Sequence, residues 1–180
     1  ETIVCNYKGG DYYPILGLDE LASQILSLRK KFTTYKSFAG KPIDAIFDKS
    51  VLKKATILEV HTVASGYLKN ENDVFIFVPF QNELQLSPIT SFLKDDFNTD
   101  GQKEVLVAGN YFGVSPYHGR FDSFPGALIY DEKNTILGNQ IGLDFSQKVI
   151  KKLHTITLKG KRYLLVTVNN DNAQVYQLID

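Results

Sequence analysis

Side chains that could bind a metal ion are concentrated in the stretch DDFNTDGQKEVLVAGN, residues 95–110. Oxygen-bearing side chains occur there at alternate positions, at Asp96, Asn98 and Asp100. Ca²⁺ takes about six to eight oxygen ligands from carboxylates, amides and backbone carbonyls. A short loop with an oxygen at every second position can fold around one such ion, so this spacing predicts a calcium loop.

The residues after Asp100 complete the predicted ligand set. Gly101 permits a sharp turn because it has no Cβ, the backbone carbonyl of Gln102 supplies a peptide oxygen, and Glu104 closes the set. An EF-hand would need a Glu at its twelfth position, which is Val107 here, and the apolar residues that follow are typical of a strand. The sequence therefore predicts a metal loop at 95–104 that runs directly into a strand. An ordinary turn rich in Asn and Asp is the alternative.

Composition limits the classes of function. The 180 residues suffice for one domain or slightly more, and 20 basic residues balance 20 acidic ones. No basic surface for nucleic acid is therefore expected, and no apolar run approaches the ~20 residues of a membrane span. The many Phe, Tyr and aliphatic residues favour a β-rich core. The absence of methionine favours a processed product or a piece of a longer polypeptide.

The N-terminal part, residues 1–55, has a helical pattern after one short strand. Apolar residues recur at helical spacing from Leu18 to Phe32, with acidic residues first and basic residues last, as the helix dipole prefers. A second, shorter helix is predicted from Pro42 to Lys54. We expect this segment to pack on the β part of the chain.

Residues 56–180 contain short apolar runs separated by Gly, Asn, Asp and Pro, which is typical of β-strands. Two runs repeat: VLVAGN begins at residue 105 and LLVTVN at residue 164, an offset of 59 residues. Each is followed by an A-x-x-Y step, at Tyr130 and Tyr176. Strands repeated at this interval predict a mainly β fold of propeller-like blades, or of another repeated β-sheet array, with an N-terminal helical segment.

The first repeat carries an insertion, YFGVSPYHGRFDSFPG at 111–126, and inserted loops on repeat scaffolds are frequent binding surfaces. Its aromatic and charged side chains could contact a glycan or a partner protein. The candidate ligand-binding residues are Tyr111, Tyr117, His118 and Arg120. The competing interpretation is structural: Phe121 and Phe124 plug the sheet below, and Arg120 pairs with Asp122.

The sequence offers no strong candidate for a catalytic site. The histidines lack zinc-type spacing. Ser115, His118 and Asp122 lie close in sequence, but they have no nucleophile-elbow motif, and triad members normally converge from different elements. We therefore predict no enzyme. The alternative is a carbohydrate-active enzyme, or an accessory domain of one, that uses the 111–126 loop and a pair of facing carboxylates.

The segments DFNTDGQKEVLVAGN, GRFDSFPGALIY and LLVTVNNDNAQVY together resemble the C-terminal region of the FG-GAP/VCBS repeat proteins. The upstream segments DYYPILGLDELASQILSLRKKFTTYKSFA and QNELQLSPIT resemble those that precede the blades in long members associated with an ASPIC/UnbV domain. These are secreted or surface-displayed bacterial proteins built from β-propeller blades. The resemblance covers most of the chain.

The resemblance implies a non-enzymatic, extracellular, calcium-binding module for protein or glycan interaction, on a Gram-negative bacterial exterior. It implies Ca²⁺ in the D-x-[DN]-x-D-G loop, held by Asp96, Asn98, Asp100 and Glu104. Asp is commoner than Glu at the last of these positions, and the later NNDNAQ segment lacks the ligand series, so one ion is expected. Two to three blades cannot close a ring, which predicts either a partial propeller completed by the remaining blades of a longer parent chain or an open β-sheet assembly.

Overall fold

The structure is a computed structural model that describes residues 1–115 and 119–179. The prediction of a mainly β fold is confirmed, with several small antiparallel sheets and a short N-terminal helical stretch. The chain divides into two units, Glu1–Val60 and the part from His61 onward. Among the described residues, no helix combines the length and apolar character that crossing a bilayer requires.

The first unit contains one antiparallel hairpin and five short helices. The strands are β1 (Cys5–Lys8) and β2 (Asp11–Pro14). The helices are α1 (Leu18–Gln24), α2 (Ser27–Lys31), α3 (Tyr35–Phe38), α4 (Ile43–Ile46) and α5 (Lys49–Leu52). The apolar faces of α1 to α4 share one buried cluster, to which Leu21, Leu28, Phe38 and Ile46 belong, whereas α5 has no buried residue.

The prediction of one continuous helix from Leu18 to Phe32 is wrong. The helix stops at Ile25, whose ψ of 80° leaves the helical region, and a second helix begins two residues later. The predicted helix from Pro42 to Lys54 is interrupted in the same way, because Phe47 is extended. Isolated short helices depend on tertiary packing for their stability, so the shared apolar cluster sets their ends more strongly than the sequence period does.

The described part of the second unit contains three antiparallel sheets, and in each of them neighbouring strands follow one another in the chain. A hairpin is formed by β3 (Gly66–Glu71) and β4 (Val74–Pro79). A four-stranded sheet is formed by β5 (Ile89–Asp95), β6 (Glu104–Gly109), β7 (Ala127–Ile129) and β8 (Thr135–Leu137). A three-stranded sheet is formed by β9 (Ile150–Leu158), β10 (Lys161–Val168) and β11 (Gln174–Gln177).

Among the described residues, one short 3₁₀ helix, Asn82–Leu84, precedes β5 in the sequence, and another, Gly138–Gln140, follows β8. The sequence runs of the second unit correspond well to these strands, with one exception. The apolar run that was expected to be a strand from Ala55 begins as a strand only at Gly66. Strand β8, of which three residues pair with β7, has no counterpart among the strands predicted from the sequence.

The four-stranded sheet is buried on both faces at its second strand, β6. Side chains alternate between the two faces of a strand, and Leu106 and Ala108 join a core cluster shared with the three-stranded sheet. On the other face, Val107 packs in a second cluster with Leu84 and Phe124. Burial on both sides explains why the sequence here is a continuous apolar run rather than an alternating one.

The sequence repeat corresponds to equivalent places in the two larger sheets. The backbone N–H of Asn110 donates to the carbonyl of Pro88 at 3.0 Å, and the N–H of Asn169 donates to the carbonyl of Val149 at 2.9 Å. Each carbonyl lies one residue before the first strand of its own sheet. VLVAGN and LLVTVN therefore occupy the same position, the second strand of a meander.

Asn110 is fully buried and hydrogen bonded through both ends of its amide. Its Nδ2 donates to the carbonyls of Phe124, Phe145 and Lys148 at 2.9, 2.9 and 3.0 Å, and its Oδ1 accepts from the N–H of Phe124 at 3.0 Å. Its φ of 78° lies in the left-handed region, which Asn tolerates better than most residues. One side chain thus fastens the end of the insertion and the segment before β9 to the end of β6.

We predict that Asn110→Ala lowers the free energy of unfolding by ~3 kcal/mol or more, since each buried polar group left without a partner costs about 1–3 kcal/mol. Asn169→Ala is the matched control, because Asn169 is exposed at the equivalent position, and it should change stability by less than about 0.5 kcal/mol. Asn110→Gly keeps the positive φ accessible and isolates the hydrogen bonds. Urea unfolding measures all three variants, and equal losses at positions 110 and 169 would contradict this account.

Candidate metal centre

The predicted metal loop connects β5 to β6. Asp95 and Glu104 are partners across the antiparallel ladder, so the loop leaves and re-enters the sheet at one place. Asp96 therefore begins the loop beside Glu104. The backbone N–H of Phe97 donates to Glu104 Oε2 at 2.9 Å, which closes the base of the loop.

Hydrogen bonds from backbone N–H groups to side-chain oxygens hold the loop in a tight curve. Asp96 Oδ2 accepts from the N–H of Gly101 at 2.9 Å. Asn98 Oδ1 accepts from the N–H of Asp100 at 3.1 Å, and Asp100 Oδ1 accepts from the N–H of Gln102 at 2.7 Å. Each of the three alternating side chains thus uses one oxygen to shape the loop.

Two loop residues have positive φ, Thr99 at 59° and Gly101 at 87°. A Cβ on Gly101 would meet no atom within 4 Å, so glycine is needed there for the backbone angle and not for space. Positive φ is uncommon for a β-branched residue such as Thr99. Strained backbone of this kind often occurs at ligand sites, where the surrounding structure holds it.

Asp96 Oδ1 has no hydrogen-bond partner although it is buried, and it is the one buried side-chain nitrogen or oxygen without a partner in the part of the chain that the structure describes. Leaving a buried acceptor unsatisfied costs about 1–3 kcal/mol, and more when the group is charged. Glu104 beside it is only 3% exposed. A cation would compensate both carboxylates, so the donors here fit a hard metal ion.

The acidic side chains alone do not form a cage. Within residues 1–115 and 119–179, no three or more His, Cys, Asp or Glu side chains are grouped so as to hold a metal. The predicted set depends instead on mixed donors, since Asn98 would contribute an amide oxygen and Gln102 a backbone carbonyl. Asp100 Oδ2 accepts from Asn98 Nδ2 at 2.9 Å. The structure therefore pairs Asp95 with Glu104 across the ladder, binds the N–H of Phe97 to Glu104, and ties Asn98 and Asp100 to each other, and the metal centre remains a prediction.

The second meander has no equivalent of this loop. The counterpart of the β5–β6 connection is the turn between β9 and β10, where Lys159 and Gly160 join the paired residues Leu158 and Lys161. Both turn residues have positive φ, 51° and 75°, as two-residue hairpin turns require. The NNDNAQ segment, which lacks the ligand series of the metal loop, is not the structural equivalent of that loop. It connects β10 to β11 and so corresponds to the 111–126 insertion.

Asp95, the residue before the first predicted ligand, links the two larger sheets. Its Oδ2 lies 3.1 Å from Arg162 Nη2 on β10. Burial raises the pKa of Asp95, but hydrogen bonds from Thr155 and the N–H of Asp96, together with the Arg162 guanidinium, outweigh it and lower the pKa overall. Asp95 is therefore held in its charged form beside the loop.

The insertion is folded back on itself at its start. Tyr111 and Phe121 form an isolated β-bridge, with backbone bonds of 2.8 and 3.1 Å, and both rings remain partly exposed. Phe124 is fully buried and plugs the sheet, as the structural interpretation predicts, whereas Phe121 does not. The insertion thus combines an anchored end with exposed aromatic surface.

Arg120 is engaged within the insertion. Its guanidinium lies over the ring of Phe112, 3.8 Å from the centroid, and its Nε is 3.7 Å from Asp122 Oδ2. The predicted ligand-binding residues Tyr117 and His118 lie outside the described residues. Of that candidate set the structure describes Tyr111 and Arg120, and both are exposed.

Sequence reasoning missed an apolar cleft of about 880 Å³ between the β3–β4 hairpin and the outer face of the four-stranded sheet. Tyr67 and Val78 line it from the hairpin, and Val105 and Ile129 line it from the sheet. The run VFIFVP at 74–79 was the available signal. An exposed hairpin normally alternates apolar and polar residues, whereas this strand is apolar throughout and Phe75 is 66% exposed.

Comparison with known proteins gives no assignment, since the chain matches no family model, no curated protein and no solved structure.

We predict that, without metal, Asp96→Asn leaves the free energy of unfolding unchanged or raises it by up to ~1 kcal/mol. The substitution removes the negative charge from a carboxylate that has one buried oxygen without a partner, and it keeps an acceptor for the N–H of Gly101. Asp96→Ala loses that acceptor as well and should cost about 1 kcal/mol. Urea unfolding in chelator compares the two variants. Equal destabilisation would show that the unpartnered Asp96 Oδ1 does not destabilise the metal-free protein.

Proposed function

We propose that this chain is a non-catalytic, extracellular calcium-binding module of the FG-GAP/VCBS repeat type, which binds a protein or a glycan. The observation that carries the proposal is Asp96 Oδ1, a buried carboxylate oxygen without a partner. It lies in a loop whose other side-chain oxygens already hold the loop closed. A bound cation gives that oxygen the partner it lacks.

The ligand chemistry favours calcium over other ions. The predicted donors are all oxygens, from Asp96, Asn98, Asp100, the carbonyl of Gln102 and Glu104, and hard cations prefer such donors. Mg²⁺ demands near-ideal octahedral geometry and usually keeps several waters, whereas Ca²⁺ accepts irregular sets of six to eight oxygens. The ion's role is structural: it ties the loop to the buried strand that starts at Glu104.

The arrangement of the sheets supports the blade interpretation. The four-stranded and three-stranded sheets are consecutive meanders, and their first strands, β5 and β9, lie against each other. Thr90 Oγ1 donates to the carbonyl of Ile150 at 2.6 Å across this contact. Propeller blades are four-stranded meanders set around a common axis, so a four-stranded meander beside a three-stranded one favours an incomplete propeller or an open repeated assembly.

We propose the 111–126 insertion as the binding surface. The 111–126 insertion is anchored by Asn110 and presents Tyr111 and Arg120 to solvent, as a loop on a rigid scaffold does when it carries binding function. The partner is a protein or a glycan, the module itself is secreted or displayed on a Gram-negative bacterial surface, and the parent chain supplies the remaining blades. Extracellular calcium modules bind the ion with Kd values of about 10⁻⁴–10⁻³ M, which suits this location.

We predict that calcium, and not magnesium, raises the melting temperature relative to chelator. Calcium at about 10 mM is roughly ten to a hundred times the Kd of an extracellular module and adds about 1.4–2.7 kcal/mol, which for a chain of this size corresponds to a shift of several degrees. Asp100→Ala should abolish the shift. Differential scanning calorimetry in the three conditions measures it.

The matched control is Asp171→Ala, which removes an exposed aspartate from the β10–β11 turn and should keep the full calcium shift. Elemental analysis of the same samples shows whether calcium was carried through purification. A wild-type protein free of calcium, with the same melting temperature in millimolar calcium and in chelator, would overturn the proposal.

A further inference from the structure

The two residues that flank Asp96 both reach the three-stranded sheet. Asp95 accepts the N–H of Asp96 with Oδ1 at 2.9 Å and pairs with Arg162 of β10 through Oδ2 at 3.1 Å. Its carboxylate therefore joins the first predicted metal ligand to the second sheet directly. Both side chains of the Asp95–Arg162 pair are about one quarter exposed, at 26% each, so solvent screens the pair only in part.

Phe97 makes the second connection. Its N–H donates to Glu104 at 2.9 Å, and its ring is half-buried against the core cluster that the two sheets share. The ring also lines a cavity of about 430 Å³ together with Leu164, Tyr176 and Leu178 from the three-stranded sheet and the segment after it. The position of this ring thus depends on the base of the loop on one side and on the second sheet on the other.

We propose that calcium binding in the 95–104 loop and packing of the β9–β11 sheet on the β5–β8 sheet are energetically coupled through Asp95 and Phe97. The inference rests on the proposed calcium site. An ion held by Asp96 and Glu104 fixes the position of Asp96, and with it the residues on either side. Asp95 accepts the N–H of Asp96 and pairs with Arg162, and the ring of Phe97 lines the inter-sheet cavity. Calcium then stabilises the docked arrangement of the sheets, and docking in turn tightens calcium binding by the same factor.

The first test is amide hydrogen exchange of the whole chain with and without calcium. Sheets open locally with their own free energies, so coupling shows as slower exchange far from the ion. We expect calcium to slow exchange in the loop and also in β10 and β11, by at least about five-fold. Protection confined to the loop and β6, with calcium bound, would overturn the coupling and leave the calcium site standing.

The second test uses variants remote from the ligands. Arg162→Gln removes the partner of Asp95, and Leu178→Ala enlarges the cavity that Phe97 lines. Each should weaken calcium binding, measured by isothermal titration calorimetry, by at least about five-fold, since binding coupling is reciprocal. The matched controls are Lys161→Gln and Val175→Ala, neighbouring exposed positions that should leave the calcium Kd within about two-fold of wild type.

The two ideas fail in different ways. Unchanged calcium affinity in both folded variants, with normal affinity in the wild type, would overturn the coupling alone. Absence of any calcium heat in the folded wild-type protein would overturn the calcium site, and with it the coupling. Circular dichroism spectra of the variants establish that they are folded before binding is measured.

Discussion

Burial of β6 on both faces is the constraint on which the second unit depends. No face of this strand is open to solvent at Leu106, Val107 or Ala108, so its polar chemistry is confined to its two ends. At one end, the buried side-chain amide of Asn110 makes four hydrogen bonds within the protein. At the other end, Asp96 beside Glu104 leaves a buried oxygen without a partner. The protein itself supplies every hydrogen-bond partner that Asn110 uses, and we propose that an ion supplies the partner that Asp96 Oδ1 lacks.

The two meanders show how one framework supports different connections. Equivalent second strands end at Asn110 and Asn169, which make the same backbone bond to the residue before the first strand. The first meander carries the oxygen-rich loop and the long insertion, whereas the second has the Lys159–Gly160 turn in place of the loop. Loops on a rigid sheet can change without altering its core. The difference between the meanders therefore explains why a single metal loop is expected.

Local pattern predicted most of the β part, because strand period, turn residues and β-branched composition act over a few neighbouring residues. The tight curve of the loop follows from the sequence for the same reason. Features that depend on distant partners were missed. Ile25 interrupts the first helix where the shared cluster requires it, and the pairing of Asp95 with Arg162 joins residues far apart in the chain. The apolar run around Phe75 is visible in the sequence, but the cleft that it helps to form also needs residues of the four-stranded sheet.

The most direct test of the central claim is a crystal structure determined from crystals grown in millimolar calcium, with anomalous scattering used to identify the ion. The account predicts one calcium per chain in the 95–104 loop, with Asp96 Oδ1 and Glu104 among its oxygen ligands at roughly 2.3–2.6 Å. A well-ordered loop without an ion, in which Asp96 Oδ1 is hydrogen bonded to water, would contradict it.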